Sequence, residues 1–359
     1  MNGQVRNLSF EGEKIYVGID VHKTNWKVSI IGEHLTHKTF SQDPEPDQLY
    51  QYLATHFPGA EYHSAYEAGF SGFWTHDRLQ SLGIHSIVVN PSDIPTTDKE
   101  KRQKEDKRDS RKIARSLRNG ELEPIRIPTM KNRQDRSLLR VRKAVLKDLQ
   151  RNKNRIKGLL FFYGFRFPER FKNNSSHWSN AFMKWLEGLE FSEGSGQDSL
   201  HFLIESSGFL RKQLLEITRK IRALSRSEYY AQDVELLRSV PGIGLLTSMA
   251  WLTELGQMGE YKKMDNLCSY VGLVPSTHSS SDKERVGSIT PRGNKALRGM
   301  LMESAWIAAR IDPALMKKFN ELCGRMNPND AIIRIAKSLI SRIRYVLVNR
   351  KKYQILKYS

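Results

Sequence analysis

Two short strand-like runs each end on an acid. In Lys14-Ile-Tyr-Val-Gly-Ile-Asp20 the apolar positions Ile15, Val17 and Ile19 alternate, so one face packs and the other carries different chemistry. A second short run, His63-Ser-Ala-Tyr-Glu67, ends on Glu67 immediately before Ala68-Gly69. Further strand-like runs cover residues 26–30 and 84–89, the last ended by Asn90-Pro91. A helical stretch from Phe73 to Leu82, closed by Gly83, separates the last two runs. Strands interleaved with a helix predict an α/β unit over residues 14–120, within an N-terminal domain of residues 1–125. Gly69 and Gly72 fit a turn or a phosphate-type loop.

Two more acids, Asp106 and Asp109, stand three apart at the front of a helix-like segment that ends at Asn119-Gly120. That spacing puts both carboxylates on one helix face. Strand ends and helix starts are where an α/β sheet gathers its functional groups. Carboxylates gathered this way repel one another unless a cation holds them. Mg²⁺, with Mn²⁺ as a substitute, is the expected ion for such hard oxygen donors. The dense charges from residue 98 to 118 also fit a plain solvated helix face.

The charge balance indicates a substrate class. The chain has 359 residues, with 58 Lys and Arg against 39 Asp and Glu, a formal net charge of +19. A surplus of that size is the footprint of phosphate-backbone binding, which with the four acids points to metal-dependent phosphoryl chemistry on nucleic acid. A basic surplus also serves solubility or an anionic membrane surface. However, no run approaches the length of a spanning helix, and the start, Met1-Asn-Gly-Gln-Val-Arg6, lacks an apolar signal core. No membrane partner is therefore expected, and the cytoplasm is the expected location. Cys268 and Cys323 are too few for a disulfide framework or a four-cysteine zinc site.

Pro124 and Pro128 mark a linker, after which the texture changes. Leu138, Val141, Val145, Asn152, Ile156 and Leu159 follow the 3–4 spacing of a long helix with a coiled-coil-like seam. Its other face carries Arg140, Arg142, Lys143, Lys147, Arg151, Lys153, Arg155 and Lys157. A second such helix runs through Leu203, Leu210, Leu214, Ile217, Ile221 and Leu224. The two pair as an antiparallel hairpin or dimerise with another chain. They define a region over 130–232, with an insertion or hairpin tip at about 167–200. Arg140, Lys143, Lys147 and Arg151 are the nucleic-acid contacts expected on its basic face.

Residues 233–359 read as a third, mainly helical unit. Val240-Pro-Gly-Ile-Gly244 followed by Leu245-Leu-Thr-Ser-Met-Ala250 has the form of a helix-hairpin-helix turn. Gly242 and Gly244 there either let backbone N–H groups reach a phosphate or make a tight turn without ligand. The polar stretch from Ser276 to Asp282 reads as a loop, and a helix is expected from Lys295 through Trp306. Arg292, Lys295 and Arg298 are candidate phosphate clamps.

Taken in order, these motifs resemble the DEDD transposases of insertion-sequence family 110 and its 1111 branch, which are themselves similar to Piv-type DNA invertases. The resemblance rests on Tyr16-Val-Gly-Ile-Asp-Val-His22, Tyr66-Glu-Ala-Gly69, Val89-Asn-Pro91 and Asp106-Lys-Arg-Asp-Ser110. Toward the C-terminus it rests on Ser239-Val-Pro-Gly-Ile-Gly244, Gly272-Leu-Val-Pro275 and Gly293-Asn294 with Leu297-Arg298. It implies an RNase H/RuvC-like N-terminal domain whose acids Asp20, Glu67, Asp106 and Asp109 bind Mg²⁺. It further implies long coiled-coil helices and a C-terminal transposase domain with a nucleophilic serine. In the family that serine follows a Gly-Leu-x-Pro segment, usually just before a glycine; Ser280 holds the position here. Ser281 replaces the glycine, leaving Ser279 and Ser281 as neighbouring candidates.

The activity so implied is DNA transposition through a covalent phosphoserine. Donor and target DNA, a non-coding bridge RNA as guide, a homodimer or homotetramer and a bacterial or archaeal nucleoid setting complete the expectation. The separation of the serine from the acids along the chain suggests a composite site. Two rival functions are a resolvase-type endonuclease in which the acids activate water, and a non-catalytic nucleic-acid-binding protein. His22 and His278 read as hydrogen-bonding neighbours of the proposed groups rather than as ligands.

Overall fold

The computed structural model describes residues 9–33, 36–95, 106–256, 263–280, 283–289 and 292–355; the side chains of 106–108, 275–280 and 283–288 lie outside that description. The chain divides into two compact units, residues 1–127 and 128–359. The long helices and the C-terminal helices share the second.

The first unit runs β1 (Lys14–Val21), β2 (Trp26–Ile31), β3 (Thr36–Gln42), α1 (Pro46–His56), β4 (Glu61–Glu67), α2 (Trp74–Ser81), β5 (His85–Val89) and α3 (Asp106–Arg118). The strands form one sheet in the order β3-β2-β1-β4-β5. β1 is antiparallel to β2, and β2 to β3, while β1, β4 and β5 run parallel. A mixed five-stranded sheet of this kind is consistent with an RNase H-like domain. Alternation sorts its two faces. Ile15, Val17 and Ile19 join Trp26, Val28 and Ile30 against Leu49 and Leu53 of α1 and Leu79 of α2. On the other face, Ala65 and Val89 pack with Ile113 of α3. β3 and α1 were not among the expected elements. β3, Thr-His-Lys-Thr-Phe-Ser-Gln, is a largely polar edge strand, which hides it from any hydrophobic pattern. α1 opens with Pro46 in its first turn and buries Leu49 and Leu53 four apart.

In the second unit, α4 (Met130–Phe162) is paired with α6 (Gly194–Leu224). Asn152 donates Nδ2 to the Leu203 carbonyl (2.7 Å) and to Ser207 Oγ (2.8 Å), while Arg142 Nε donates to Thr218 Oγ1 (2.9 Å). Those pairings make the hairpin antiparallel. With 33 residues, α4 is about 50 Å long at 1.5 Å per residue. The seam differs from the expected one at a single turn. Val141 is 51% exposed, and the 3–4 row passes through Arg142 instead, whose stem lies between the helices while its head finds Thr218. Burial holds the Arg142 guanidinium below its usual pKa. Lys153 also leaves the outer basic face, with Nζ 5.0 Å from the Trp178 ring centroid. The 167–200 segment folds as a cap on the hairpin. Phe171, together with Phe182 and Leu186 of α5 (Asn180–Glu187), packs on Ile156, Leu160 and Leu200.

The remainder is mainly helical: α7 (Ala231–Arg238), α8 (Leu245–Leu255), α9 (Met264–Val271), α10 (Lys295–Ile311), α11 (Pro313–Cys323) and α12 (Pro328–Asn349). α12 buries Ile332, Ile335, Leu339, Ile340 and Ile343 in the core shared by α7–α11. One expectation is corrected here. Residues 276–280, read as loop from their polarity, lie in β6 (Pro275–Ser280), which pairs antiparallel with β7 (Lys283–Ile289). Cross-strand hydrogen bonds decide such a hairpin, and Ser, Thr and His carry no apolar alternation to announce it. Among the described residues, no helix is long and apolar enough to cross a membrane.

Candidate active site

Asp20 and Glu67 occupy equivalent places on neighbouring parallel strands. Gly18 pairs with Ala65 and Ile19 with Tyr66, so each acid is the next residue after the last matched pair. Two residues beyond Gly18 and Ala65, both acids belong to the face that α3 covers. Both are half-buried. Asp20 Oδ2 lies 3.1 Å from His22 Nε2, so His22 is a hydrogen-bonding neighbour of the acid. After Glu67, Gly72 N–H donates to the Gly69 carbonyl (3.2 Å), and Gly72 has a φ of +60°; the two glycines build a turn.

α3 is positioned over this face by backbone contact and by hydroxyls. Arg111 Nε donates to Thr39 Oγ1 (3.0 Å), Thr39 Oγ1 is 2.9 Å from Ser29 Oγ, and Ser29 Oγ is 2.9 Å from Ser110 Oγ. This relay ties α3 to β2 and β3 at the residue directly after Asp109. Asp109 is half-buried and stands one turn before Ile113, on the row that packs toward β4 and β5. Asp106 begins α3, one turn before Ser110; its side chain lies outside the described residues. The relay was missed from sequence, because isolated serines in strands and helices carry no periodic signal.

The four acids offer carboxylate oxygens only, the donor type that Mg²⁺ and Mn²⁺ accept. All four fit such an ion in kind, and Asp20 and Glu67 fit it in sheet face. Among the described residues, no three His, Cys, Asp or Glu side chains group as ligands of one ion; Asp106 falls outside that set.

In the second unit, Ser279 and Ser280 end β6, with Ser280 paired to Lys283 across the hairpin. The side chains of Ser279, Ser280 and His278 lie outside the described residues, as does Ser281 altogether. The hairpin's roots are tightly built. Gly272 (φ +79°) and Gly293 (φ +92°) meet backbone to backbone, and Asn294 N–H donates to the Tyr270 carbonyl (2.8 Å). Arg298 donates Nη1 to the Gly272 carbonyl (3.0 Å), so part of its guanidinium braces this root. Gly242 (φ +82°) is required by packing: a β carbon there would stand 2.2 Å from the Ser304 carbonyl oxygen on α10. A β carbon at Gly244 would meet nothing within 4 Å, leaving the start of α8 open to approach.

The basic candidates separate into groups. A cavity of about 420 Å³ brings together Arg140 and Lys143 of α4 with Lys295 at the start of α10. Arg140 Nη2 is 3.2 Å from Glu254 Oε1, so its charge is already partly matched. Lys147 and Arg151 lie farther along α4, exposed, with Arg151 2.8 Å from Asp148. Arg292 is exposed beside the hairpin root.

A sheet with acids at adjacent parallel strand ends, covered by the helix that carries Asp109, is the part of the chain where the similarity to known proteins begins. Residues 17–164 match the DEDD transposase model of IS110 elements, and residues 234–321 match the IS116/IS110/IS902 transposase model. The chain is 27% identical to the transposase of insertion element IS1533 from Leptospira borgpetersenii, over 82% of this chain and 85% of that one. It is 24% identical to the IS1111A transposase of Coxiella burnetii, over 63% of this chain and 60% of that one. It is 28% identical to y4qE of Sinorhizobium fredii, named as a candidate transposase, over 70% of this chain and 60% of that protein. Both matched segments and these relatives make the chain similar to transposases of the IS116/IS110/IS902 group.

Proposed function

We propose that the chain is a transposase that cuts and rejoins DNA through a serine nucleophile, with Asp20, Glu67, Asp106 and Asp109 as the ligands of a divalent cation, Mg²⁺ or Mn²⁺. The observation that carries the acid site is the register of Asp20 and Glu67 on parallel neighbours, on the face covered by the helix of Asp109. When bound, the cation supplies charge stabilisation to the reacting phosphate. The carboxylates hold it and His22 restrains the orientation of Asp20. Ser280 Oγ attacks the phosphorus of a phosphodiester and gives up its proton, the bond to the leaving DNA oxygen breaks, and that oxygen takes up the proton to become a free hydroxyl. The phosphoserine ester keeps the energy of the broken bond, so a second DNA hydroxyl can reverse the step without ATP. Support for Ser280 comes from its place after Gly272-Leu-Val-Pro275 in the matched C-terminal segment. The same reading takes the family's guide RNA as a partner, a homodimer or homotetramer as the working assembly and the bacterial or archaeal nucleoid as its place of action. Arg140, Lys143, Lys147, Arg151, Arg292 and Lys295, with the backbone around Gly242 and Gly244, are its phosphate contacts.

The deciding experiment is to trap and map a covalent protein–DNA adduct. With the parent protein, element-end DNA and Mg²⁺, the adduct is expected on Ser280. It should vanish in Ser280→Ala and, separately, in Asp20→Asn, Glu67→Gln, Asp106→Asn and Asp109→Asn, with DNA affinity kept within about threefold. An adduct on Ser279 or Ser281 moves the nucleophile by one residue. Cleavage without any adduct, unchanged in all three serine variants, replaces the serine reading with attack by water.

A further inference from the structure

We propose that the cavity formed by the end of α6, α7 and the start of α8 is a second DNA contact, a cradle for the phosphate backbone of a duplex. Its volume is about 780 Å³, and Arg222, Arg226 and Arg238 line it with Glu235, Leu245 and Lys352. The proposal rests on the transposase reading for the identity of the polymer, and on this cavity's own chemistry for the site.

The charge inside is unbalanced. Glu235, its carboxylate, is already paired with Lys352, which the C-terminal segment brings to the rim. That segment is itself fixed, with Arg350 bound to Asp233 and the Tyr353 N–H donating to Ser239 Oγ (2.8 Å). Among the described residues, no carboxylate and no hydrogen-bond acceptor is taken by the guanidiniums of Arg222, Arg226 or Arg238. All three residues are exposed. A favourable helix-end charge accounts for one cation at each of α6 and α7, not for three converging on one cavity.

The start of α8 adds backbone donors to the same wall. Leu245, its first residue, lines the cavity, and the preceding Gly244 gives no side-chain cap to the first turn. Uncapped N–H groups with the positive end of the helix dipole suit an anion. A β carbon at Gly244 would meet nothing, so a phosphate can approach the backbone there. Three forked guanidiniums beside backbone donors match phosphate oxygens and read no base edge, as expected of a positioning contact. The cavity is open along the surface rather than enclosed, which suits a continuous backbone better than a free nucleotide.

The test is equilibrium binding of the full chain, without divalent metal, to a labelled random-sequence duplex across a salt series. Arg222→Ala/Arg226→Ala/Arg238→Ala should lower affinity tenfold or more. Its plot of log affinity against log salt should flatten by about 2–3 units, since each lost phosphate contact removes roughly 0.9. Arg226→Ala and Arg238→Ala singly, each expected to flatten the slope by about 1, stand in if the triple variant misfolds. Removing the same charge from the middle of α6, with Arg211→Ala/Lys212→Ala/Arg219→Ala, should have a clearly smaller effect. An equal effect in that control, an unchanged slope in the cavity variants, or a loss confined to a hairpin RNA would each overturn the proposal. Binding is read without cleavage, so failure of the serine or acid assignment leaves this result standing, and the reverse holds too.

Discussion

Gly18 of β1 lies directly beneath Ser110 of α3, so close that a β carbon at Gly18 would stand 2.1 Å from the Ser110 carbonyl oxygen and 2.4 Å from the Ala114 amide nitrogen. Glycine is thus what lets the helix bearing Asp106 and Asp109 sit down on the strand bearing Asp20. Gly18→Ala forces α3 outward, at an expected cost of about 1–3 kcal/mol from overpacking. Because ångström-scale misplacement is expensive in a reacting site, metal-dependent cleavage should drop on the order of 100-fold with all four acids present. Ser29→Ala, which breaks the buried hydroxyl relay but leaves the close contact, should cost only about 1 kcal/mol. Thermal unfolding and a cleavage assay check both. Full activity in Gly18→Ala would remove α3 from the site.

The roots of the serine hairpin make the second case. A β carbon at Gly272 would lie 2.3 Å from the Arg292 carbonyl oxygen, and one at Gly293 would lie 2.7 Å from the Gly272 Cα. Both glycines also hold left-handed backbone, which costs other residues about 1–3 kcal/mol. Gly272→Ala and Gly293→Ala should each lower adduct yield at least tenfold while the three serines stay in place. Arg298→Lys should do so more mildly, since a lysine keeps the charge but loses the fork that reaches the Gly272 carbonyl. Adduct yield, normalised to folded protein by circular dichroism, is the measurement. Normal yield in both glycine variants would mean that the hairpin root does not position the nucleophile.

What could be read from sequence, and what could not, follows from how each signal is generated. β1 was legible because its apolar residues Ile15, Val17 and Ile19 alternate, whereas β4, buried on both faces, showed only as a short run before Ala68-Gly69. Their acids were legible because a charge at the end of such a run is unexpected. Gly18 sat in plain view inside a strand, where glycine often marks close backbone approach, yet its neighbour on α3 is 92 residues away and only the fold supplies it. β3 and the β6–β7 hairpin left no trace because polar strands are specified by their partners. The long helices were visible as a 3–4 repeat, but Arg142 in the seam broke the pattern, and Val141 took its place in the reading. The basic surplus identified a polyanion, whereas its division between Arg140, held by Glu254, and the cavity of Arg222, Arg226 and Arg238 depends on packing.

Glu254 anchors α4 to α8. Its carboxylate is buried, 3.3 Å from Arg136 Nη1 and 3.2 Å from Arg140 Nη2, and the Tyr270 hydroxyl lies 3.3 Å from Oε2. Glu254→Gln leaves the largely buried Arg136 without its counter-charge and should destabilise the second unit by about 3 kcal/mol. Arg140→Ala should cost under about 1 kcal/mol, because that side chain is 63% exposed and water replaces the partner. Chemical unfolding followed by tryptophan fluorescence from Trp251, beside Glu254 in the core, reads the difference. Equal losses in the two variants would show that Arg136 is not the partner that matters.

On the first unit, His63 of β4 sits with Nε2 2.8 Å from Glu61 Oε1 and its ring 5.1 Å from that of His85. Burial holds the His63 imidazole below its ordinary value of 6.5, with His85 and Lys14 adding to the effect and Glu61 opposing it. The folded state therefore prefers the neutral ring, while the unfolded chain takes up a proton as the pH falls through 6.5. Stability contributed by this residue is constant above that point and is lost on further acidification, down to the folded pKa. Hydrogen exchange in the β4 and β5 segments isolates the first unit from the second. At pH 7.5, protection in the parent protein and in His63→Gln should differ by a fixed amount. At pH 5.5 the parent should lose protection relative to the variant, whose amide cannot take up the proton. A difference that does not change between the two pH values would show that His63 is as easily charged in the fold as outside it.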